Sequence, residues 1–503
     1  MKHLIIGAGP AGLQMASFLE DHLILEKGPS VCSFFRHFPR QRGFISINKA
    51  RNLRFDWNSF LGDTKSFRDY SEELYPSADD YIRYAEDFVT RKNLSIRFNY
   101  EVKSIEKLED GTFSINCGEY TAEKVFYGLG LVPRQPMINV HPSITVFTYA
   151  NMPLNKEVYR DKTVVIIGTG NAALETADYI APMTKFTSIF GRNVNAWHSH
   201  YPGHARSKNF TSIDSFFLKA ASFIVFAGTP GEKYVDTLDY RMIKEQLETA
   251  SSDVLHKIDI VIFCIGFQFN PTLVNNLVDL CPKSGFPLLT DNFESIKTPG
   301  LFFIGASSQA KDYKKGTSAF IHGFRYNCQY ISRLIKGVES IILSRDEMIK
   351  MVFRQMNESS CLFHRFDYFC DVVEKLEDGN WKYTKEVPCC SPPKNGFTMR
   401  LGYTNKFQGH SFVQPSYIYP RHAHLCVLIH PIFNTPDRQF ELPEDIYNEF
   451  SDKNWHILPF MYFMDYIEGR KSDIEIRELI RIIPEIRGGR DLFWQSESSQ
   501  EHQ

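Results

Sequence analysis

Short, uniformly apolar runs that end on glycine recur along the first 305 residues of this 503-residue chain. Leu4-Ile5-Ile6 runs into Gly7-Ala8-Gly9-Pro10-Ala11-Gly12, and a helix-like stretch from Leu13 to Leu19 follows. Val164-Val165-Ile166-Ile167 runs into Gly168-Thr169-Gly170-Asn171-Ala172-Ala173, with a helix-like stretch from Leu174 to Ile180 behind it. Runs of this length, rich in valine and isoleucine, read as strands buried on both faces of a parallel sheet. Glycine at the change from strand to helix lets backbone approach a pyrophosphate, whose charge then rests on the helix N-terminus. Two such turns predict two dinucleotides on one chain, FAD at the first and a nicotinamide dinucleotide at the second, and hence redox chemistry.

The remaining pattern divides the chain. Val125 to Gly130 and Val261 to Phe267 read as the strands that leave and re-enter the flavin domain. Leu301 to Gly305 adds a further strand, followed by a helix-like stretch from Ser318 to Leu334. A helix is expected over Ala78 to Arg91, and a hairpin over Ile96 to Ile115 with its turn at Glu109-Asp110-Gly111. The expected fold is α/β: two Rossmann-type dinucleotide-binding domains, the second inserted in the first, plus a C-terminal α+β region. Residues 1–149 form the first part of the FAD domain, 150–265 the NADPH domain and 266–342 the second part of the FAD domain. Phe210 to Ala250, with a helix over Arg241 to Glu248, is expected to insert into the NADPH domain. Past residue 345 the composition changes. A helix over Met348 to Met356, strands at Trp381 to Thr384 and Leu425 to Ile429, and a helix over Asp473 to Ile483 are expected within 345–495. The polar stretch 496–503 reads as a disordered tail.

Side chains beyond the glycines sharpen the cofactor assignment. Glu26 closes Leu23-Ile24-Leu25, nineteen positions after Gly7, where a carboxylate accepts hydrogen bonds from ribose hydroxyls. The second motif has Gly191-Arg192 after Thr187 to Phe190 instead of an acid. A guanidinium there suits a 2′-phosphate, so NADPH is expected over NADH.

Composition narrows the rest. A net charge of −2 with no basic block argues against nucleic acid as a partner. The longest apolar runs, such as Ile260 to Phe267, fall well short of a membrane span. Met1 stands directly before the first strand and leaves no room for a signal peptide. The cytoplasm is therefore the expected location, with the endoplasmic reticulum lumen the alternative for an incomplete N-terminus. Ten cysteines include no CxxC, so no dithiol of the thioredoxin-reductase type is expected. Cys264 reads as core, and Cys389-Cys390, between Pro388 and Pro393, as a loop between strands. No His/Cys cluster has zinc spacing, and no metal site is expected.

The two turns, Arg192 and Cys264-Ile265-Gly266-Phe267 resemble the flavin-containing monooxygenases of the two-dinucleotide type. Ser33-Phe34-Phe35, Pro39-Arg40, Arg42, Ile45 to Lys49, Asp56 to Ser59, His200-Tyr201 and Phe320 to Tyr326 bring the resemblance closer to one branch. So do Leu401-Gly402-Tyr403, His430-Pro431 and Leu442 to Asp445. That branch is the endoplasmic reticulum flavoprotein associated with degradation, the FAD-dependent oxidoreductase domain-containing proteins. The resemblance implies a cofactor-binding set of Gly7, Gly9, Pro10, Ala11, Gly12, Glu26, Lys27, Arg36, Asn48, Val102, Gly130, Gly168, Gly170, Asn171, Ala172, Arg192, Gly266, Gly305 and Gly323. It implies Asn48, His200 and Tyr201 as catalytic residues lining the cleft, with Asn48 beside the flavin ring.

Two departures stand against it. The branch is lumenal, with a signal peptide and a retention tail, whereas this sequence opens at Met1 and closes on Glu501-His502-Gln503, so neither signal is expected. The monooxygenase fingerprint FxGxxxH falls on Ser143 to Tyr149, with Thr145 at the glycine and Tyr149 at the histidine. The expected activity is NADPH-driven reduction of FAD followed by oxygen activation toward a small amine or sulfur nucleophile. The alternatives are an oxidase or reductase passing electrons to oxygen, a disulfide or a quinone, and a flavin-containing partner-binding protein linked to protein quality control. In that last case the C-terminal region would hold a protein partner.

Overall fold

Among the described residues, twenty-one strands, numbered along the chain, fall into five sheets in the computed structural model. It describes residues 1–44, 55–168, 170–191, 223–227, 247–248, 258–313, 316–403, 429–443 and 450–469. The chain divides into two units, Met1–Ser332 and Arg333–Gln503.

The first sheet has the order β15 (Leu301–Phe303), β7 (Lys124–Tyr127), β1 (His3–Ile6), β2 (His22–Leu25), β3 (Ile96–Arg97), all parallel. The N-terminal strand is central, as a strand feeding a glycine turn and helix at a switch point must be. Leu4, Ile5, Ile6, Val125, Phe126 and Tyr127 are all buried, which is why these runs carry no polar alternation. The second sheet is also parallel, in the order β12 (Phe223–Ala227), β11 (Phe186–Gly191), β10 (Thr163–Ile167), β13 (Ile260–Phe263), β9 (Thr145–Thr148). Helix α1 (Pro10–Ala16) follows β1. Helices α2 (Ser33–His37) and α3 (Ala78–Lys92) come next, and α4 (Asn171–Ile180) follows β10. From α4, Leu174, Ala177 and Ile180 pack on Val164, Ile166 and Ile262.

Three expectations are corrected. The strands at Val125 and Val261 do not link the two halves: β7 lies inside the first sheet and β13 inside the second. β13 is buried along its whole length and β7 from Val125 to Tyr127, and such runs find enough apolar cover only in a sheet interior. The link is a short antiparallel ribbon, β8 (Val132–Pro133) with β14 (Phe267–Gln268). The hairpin does not begin at Ile96, because β3 joins β2 in the first sheet. It is β4 (Ile105–Lys107) with β5 (Phe113–Ile115), extended by β6 (Tyr120–Ala122). Its turn does fall at 108–111, where the Gly111 amide donates to Leu108. Lastly, β12 makes residues 223–227 a strand of the second sheet, where an insertion was expected. Residues 145–148 form β9 at the other edge of that sheet. Of the other expectations, residues 425–428, the helix over Asp473 to Ile483 and the tail 496–503 lie outside the described residues.

Helix α5 (Ile321–Lys336) carries the chain out of the first unit. The second unit is built on a six-stranded antiparallel sheet, β16 (Ile341–Leu343), β18 (Trp381–Pro388), β17 (Phe369–Lys375), β19 (Gly396–Tyr403), β20 (Ile429–Asn434), β21 (Gln439–Glu441). Helix α6 (Arg345–Glu358) starts at a capping box, Ser344 with Glu347, and packs on this sheet. The region is α+β, as its mixed patterning predicts. Among the described residues no helix is long and apolar enough to cross a membrane.

One carboxylate lies inside the second unit. Asp371 of β17 accepts from the Tyr383 hydroxyl at 2.7 Å, the Gln355 amide at 3.1 Å and the Glu386 backbone N–H at 2.7 Å. Burial first, and then the nearby Glu386 carboxylate, lift its carboxyl to about 7. Unfolded, it ionises near ~4. Between those values the folded chain holds the extra proton, so stability present at acid pH is lost as pH rises through about 7. The thermal midpoint of the second unit should therefore fall across that window. Asp371→Asn should flatten the fall, and equal slopes in the two proteins would rule out this carboxyl as its source.

Candidate functional site

At the first turn the three glycines have three separate reasons. Gly7 has φ +99°, and a Cβ there would stand 2.9 Å from the Gly128 carbonyl oxygen. Gly12 packs α1 onto β1 so closely that a Cβ would lie 2.0 Å from the Gly7 oxygen. Gly9, the N-cap of α1, would place a Cβ in open space at the mouth of the turn. Tight turn, close helix packing and an open cradle that a Cβ would fill are the features a pyrophosphate site requires. Pro10, at the first helical position, has φ suited to the helix and lacks an N–H that would have no intrahelical acceptor.

Glu26 stands immediately after β2 and reaches under this turn. Its carboxylate is 7% exposed and accepts from the Ala8 N–H at 2.7 Å, the Gly28 N–H at 2.8 Å and the Ser33 hydroxyl at 2.9 Å. The same acid thus braces the loop beside the cradle. Gly305 approaches from β15 with φ +67°, and a Cβ there would stand 2.8 Å from the Ala11 Cβ. Val102 packs at the edge of the first sheet's core, two residues past the point where the Asn99 and Tyr100 N–H groups donate to the Gly28 and Glu26 carbonyls. Lys27 and Arg36 lie nearby, each on a carboxylate at 2.6 Å: Glu101 and Glu86.

The second turn repeats the design. Gly168 has φ +124°, and a Cβ would come within 2.2 Å of the Cys264 carbonyl oxygen. Gly170 caps α4 and has open space where its Cβ would stand. Alanine serves at the third position, where Ala173 is fully buried. A small pocket beside this turn is lined by Arg134, Thr148, Tyr149, Ala172, Gly266 and Phe267, among others. Gly266 has φ +84° and accepts from the Arg134 backbone N–H at 3.0 Å, where the ribbon meets the pocket. Gly130, at φ +69°, begins the outgoing link.

Tyr149, the residue at the fingerprint histidine position, is buried and stacks on Phe38 at 5.6 Å. Its hydroxyl accepts the Arg40 backbone N–H at 3.0 Å, and the Arg40 guanidinium donates to the Met152 carbonyl at 2.8 Å. Burial raises the Tyr149 phenol, which therefore stays neutral.

The expectations from the sequence did not include the polar support under the first site. Arg325 of α5 is buried and donates to the Ser59 and Asp56 carbonyls at 2.6 and 2.5 Å. The Asp56 carboxylate gathers the Asn58 and Ser59 N–H groups and the Ser59 hydroxyl. Asn327 donates to the Ser308 and Ser318 hydroxyls, both at 3.0 Å, while Asp312 accepts the Ser318 N–H. These bonds fix the loop after Gly305 against α5. Gly323 allows the approach, since a Cβ would lie 2.0 Å from the Thr317 oxygen. An arginine on an amphipathic helix ordinarily reads as solvated, so only the resembling segments 56–59 and 320–326 hinted at it. Asn48, Arg192, His200 and Tyr201 lie outside the described residues.

Residues 4–305 match the pyridine nucleotide-disulphide oxidoreductase family. A mouse protein, FAD-dependent oxidoreductase domain-containing protein 2, is 29% identical over 442 residues. The match takes in 77% of this chain, more than the first unit alone, and about two thirds (66%) of the mouse protein's length. Bacillithiol disulfide reductase from Bacillus cereus is similar in structure, with a TM-score of 0.50 and 17% identity over 67% of this chain and 99% of its own. A flavin-containing monooxygenase from Stenotrophomonas maltophilia also reaches 0.50, at 15% identity over 67% of this chain and 98% of its own. The fold is that of the two-dinucleotide-binding flavoproteins.

The glycines separate binding from folding. Gly9→Ala should leave the thermal midpoint near that of the flavin-stripped natural chain but abolish retained yellow colour. Gly12→Ala should cost about 1–3 kcal/mol of stability, as forced overpacking does. Flavin retained by a folded Gly9→Ala protein would reject the first cradle.

Proposed function

The chain belongs to the pyridine nucleotide-disulphide oxidoreductase family and is a flavin oxidoreductase using FAD and NADP(H); from that premise we propose that it passes electrons to a small diffusible acceptor. In the leading reading that acceptor is oxygen, used with an amine or sulfur nucleophile in a monooxygenase-like reaction. When bound, the two cofactors supply the two-electron chemistry, and the protein supplies position and electrostatics. Gly9 and Gly170, open where a Cβ would stand, are assigned to the pyrophosphates, Glu26 to a ribose and Arg192 to the 2′-phosphate. Asn48, His200 and Tyr201 are assigned to the cleft where the acceptor meets the flavin.

One observation carries the choice of a diffusible acceptor: among the described residues the first cradle has no dithiol built beside it. The sequence contains no CxxC. Cys328 hydrogen-bonds to the Ala11 carbonyl at 3.7 Å, and the Cys32 backbone N–H donates to Ala8. Burial raises both thiols, so neither is poised as a nucleophile. Cys264, on the second sheet, contacts the Thr176 hydroxyl at 3.7 Å, and its thiol is pushed up to about 12 by burial.

A second reading, an oxidase or reductase without monooxygenation, draws on Tyr149. The position that carries histidine in the monooxygenase fingerprint is here a neutral, buried ring held by Arg40. Anaerobic NADPH should bleach the yellow protein in either case. Air admitted with a sulfide or tertiary amine should then yield oxygenated product with little peroxide. Stoichiometric peroxide regardless of the nucleophile would favour the second reading, and failure to bleach would end both. Arg192→Ala should raise the KM for NADPH about ten- to a hundredfold, the worth of one or two charged hydrogen bonds, with little change for NADH. Equal effects on both would remove Arg192 from the 2′-phosphate.

A further inference from the structure

The strand order of the second sheet reverses at one place. From β10 it runs to β11 and β12 on one side and to β13 and β9 on the other, all parallel. A dinucleotide binds across the carboxyl ends of the strands at such a switch point. Arg192 follows directly on β11, and with it assigned to the 2′-phosphate the adenosine half belongs on the β11 side. The nicotinamide half then belongs at the end of β13, beside residues 264–267.

Arg134, directly after β8, stands against that end. Its backbone N–H donates to the Gly266 carbonyl at 3.0 Å, and its Nε donates to the Phe267 carbonyl at 3.2 Å. The guanidinium is thus held along one edge. Among the described residues its Nη atoms make no hydrogen bond, and no carboxylate lies within ion-pair distance. Arg134 lines one small pocket together with Thr148, Gly266, Phe267 and Ala172, the last from the first turn of α4. That turn carries the positive end of the helix dipole, beside the open space at Gly170. A half-buried cation and a helix N-terminus around one space repel each other unless an anion lies between them.

We propose that Arg134 is a second cofactor-binding cation of the NADP(H) site, its guanidinium paired with the phosphate nearer the nicotinamide. Arginine suits the task because its planar fork can keep Nε on Phe267 and still present both Nη atoms to phosphate oxygens. A lysine supplies the charge without that fixed plane. Arg134 therefore complements Arg192. Arg192 tells NADPH from NADH, whereas Arg134 grips the whole dinucleotide over its adenosine half alone. This role depends on NADP(H) use and on the second cradle, not on which acceptor takes the electrons.

The test is calorimetric titration of the FAD-loaded full-length protein with NADP+ and with 2′,5′-ADP, a fragment that keeps the 2′-phosphate and lacks the nicotinamide half. Arg134→Gln should weaken NADP+ about ten- to a hundredfold, the worth of one or two charged hydrogen bonds, and leave 2′,5′-ADP within about twofold. Arg192→Ala, by contrast, should weaken both. Should Arg134→Gln fail to fold, Arg134→Lys makes the same comparison, with a smaller loss again confined to NADP+. Equal weakening of the two ligands in either Arg134 variant, or an unchanged affinity for NADP+, would overturn the proposal. Wild type that binds neither ligand would remove the second cradle, and this role with it.

Discussion

The N-terminal unit is organised by places where a β-carbon cannot be. A helix can begin directly above the end of its own strand only if the crossing backbone has nothing between it and the next turn. At Gly12 the distance left for a Cβ is 2.0 Å from the Gly7 oxygen, and at Gly168 it is 2.2 Å from the Cys264 oxygen. Contacts that close exclude any side chain, so strand and helix are locked into a single geometry. With that geometry fixed, the N-termini of α1 and α4 face the ends of their sheets, and the partial positive charge of each points at the space beside Gly9 and Gly170. The surrounding polar groups then have a defined surface to serve. Glu26 ties the amides of Ala8 and Gly28 to Ser33, and Arg325 ties α5 to the loop at 56–59.

The C-terminal unit solves a different problem. Its sheet is antiparallel and covered by aromatic side chains, with Trp381, Tyr383, Phe397, Phe433, Phe460 and Phe463 buried. Here too glycine permits close approach, since a Cβ at Gly396 would lie 2.0 Å from the Val373 oxygen. Order comes from ring packing, such as Phe440 on Phe463 at 5.0 Å, and from the hydroxyl, amide and backbone donors that converge on Asp371. Burying that carboxyl costs stability at neutral pH, while the same bonds leave β17 and β18 little choice of register.

Both strand–turn–helix units were legible in the sequence because their signal is local. The apolar runs at 4–6 and 164–167, the glycines behind them and Glu26 lie within a few turns of one another in the chain. Helix α3 was legible for the same reason, beginning at Ser77 with its capping partner Asp80. What escaped was set by long-range pairing. Nothing local distinguishes Val261 to Phe263 as an interior strand from a linking one, since the partners that bury it lie at 145–148 and 164–167. Ile96 looked like the arm of a hairpin because its partner, Ile24, is far back in the chain. The bonds from Arg325 to 56 and 59 span more than 260 residues and leave no periodic trace.

Arg40 and Phe38 have a mechanical consequence. The two halves of the N-terminal unit are joined by a ribbon of only two residue pairs, a thin hinge about which a dinucleotide-binding half could swing. Across the cleft, Phe38 lies flat on Tyr149 while Arg40 grips the Tyr149 hydroxyl and the Met152 carbonyl. Any rotation has to unstack that ring pair and release both grips together. Reorienting one half against the other would therefore have to break these contacts as well as bend the ribbon.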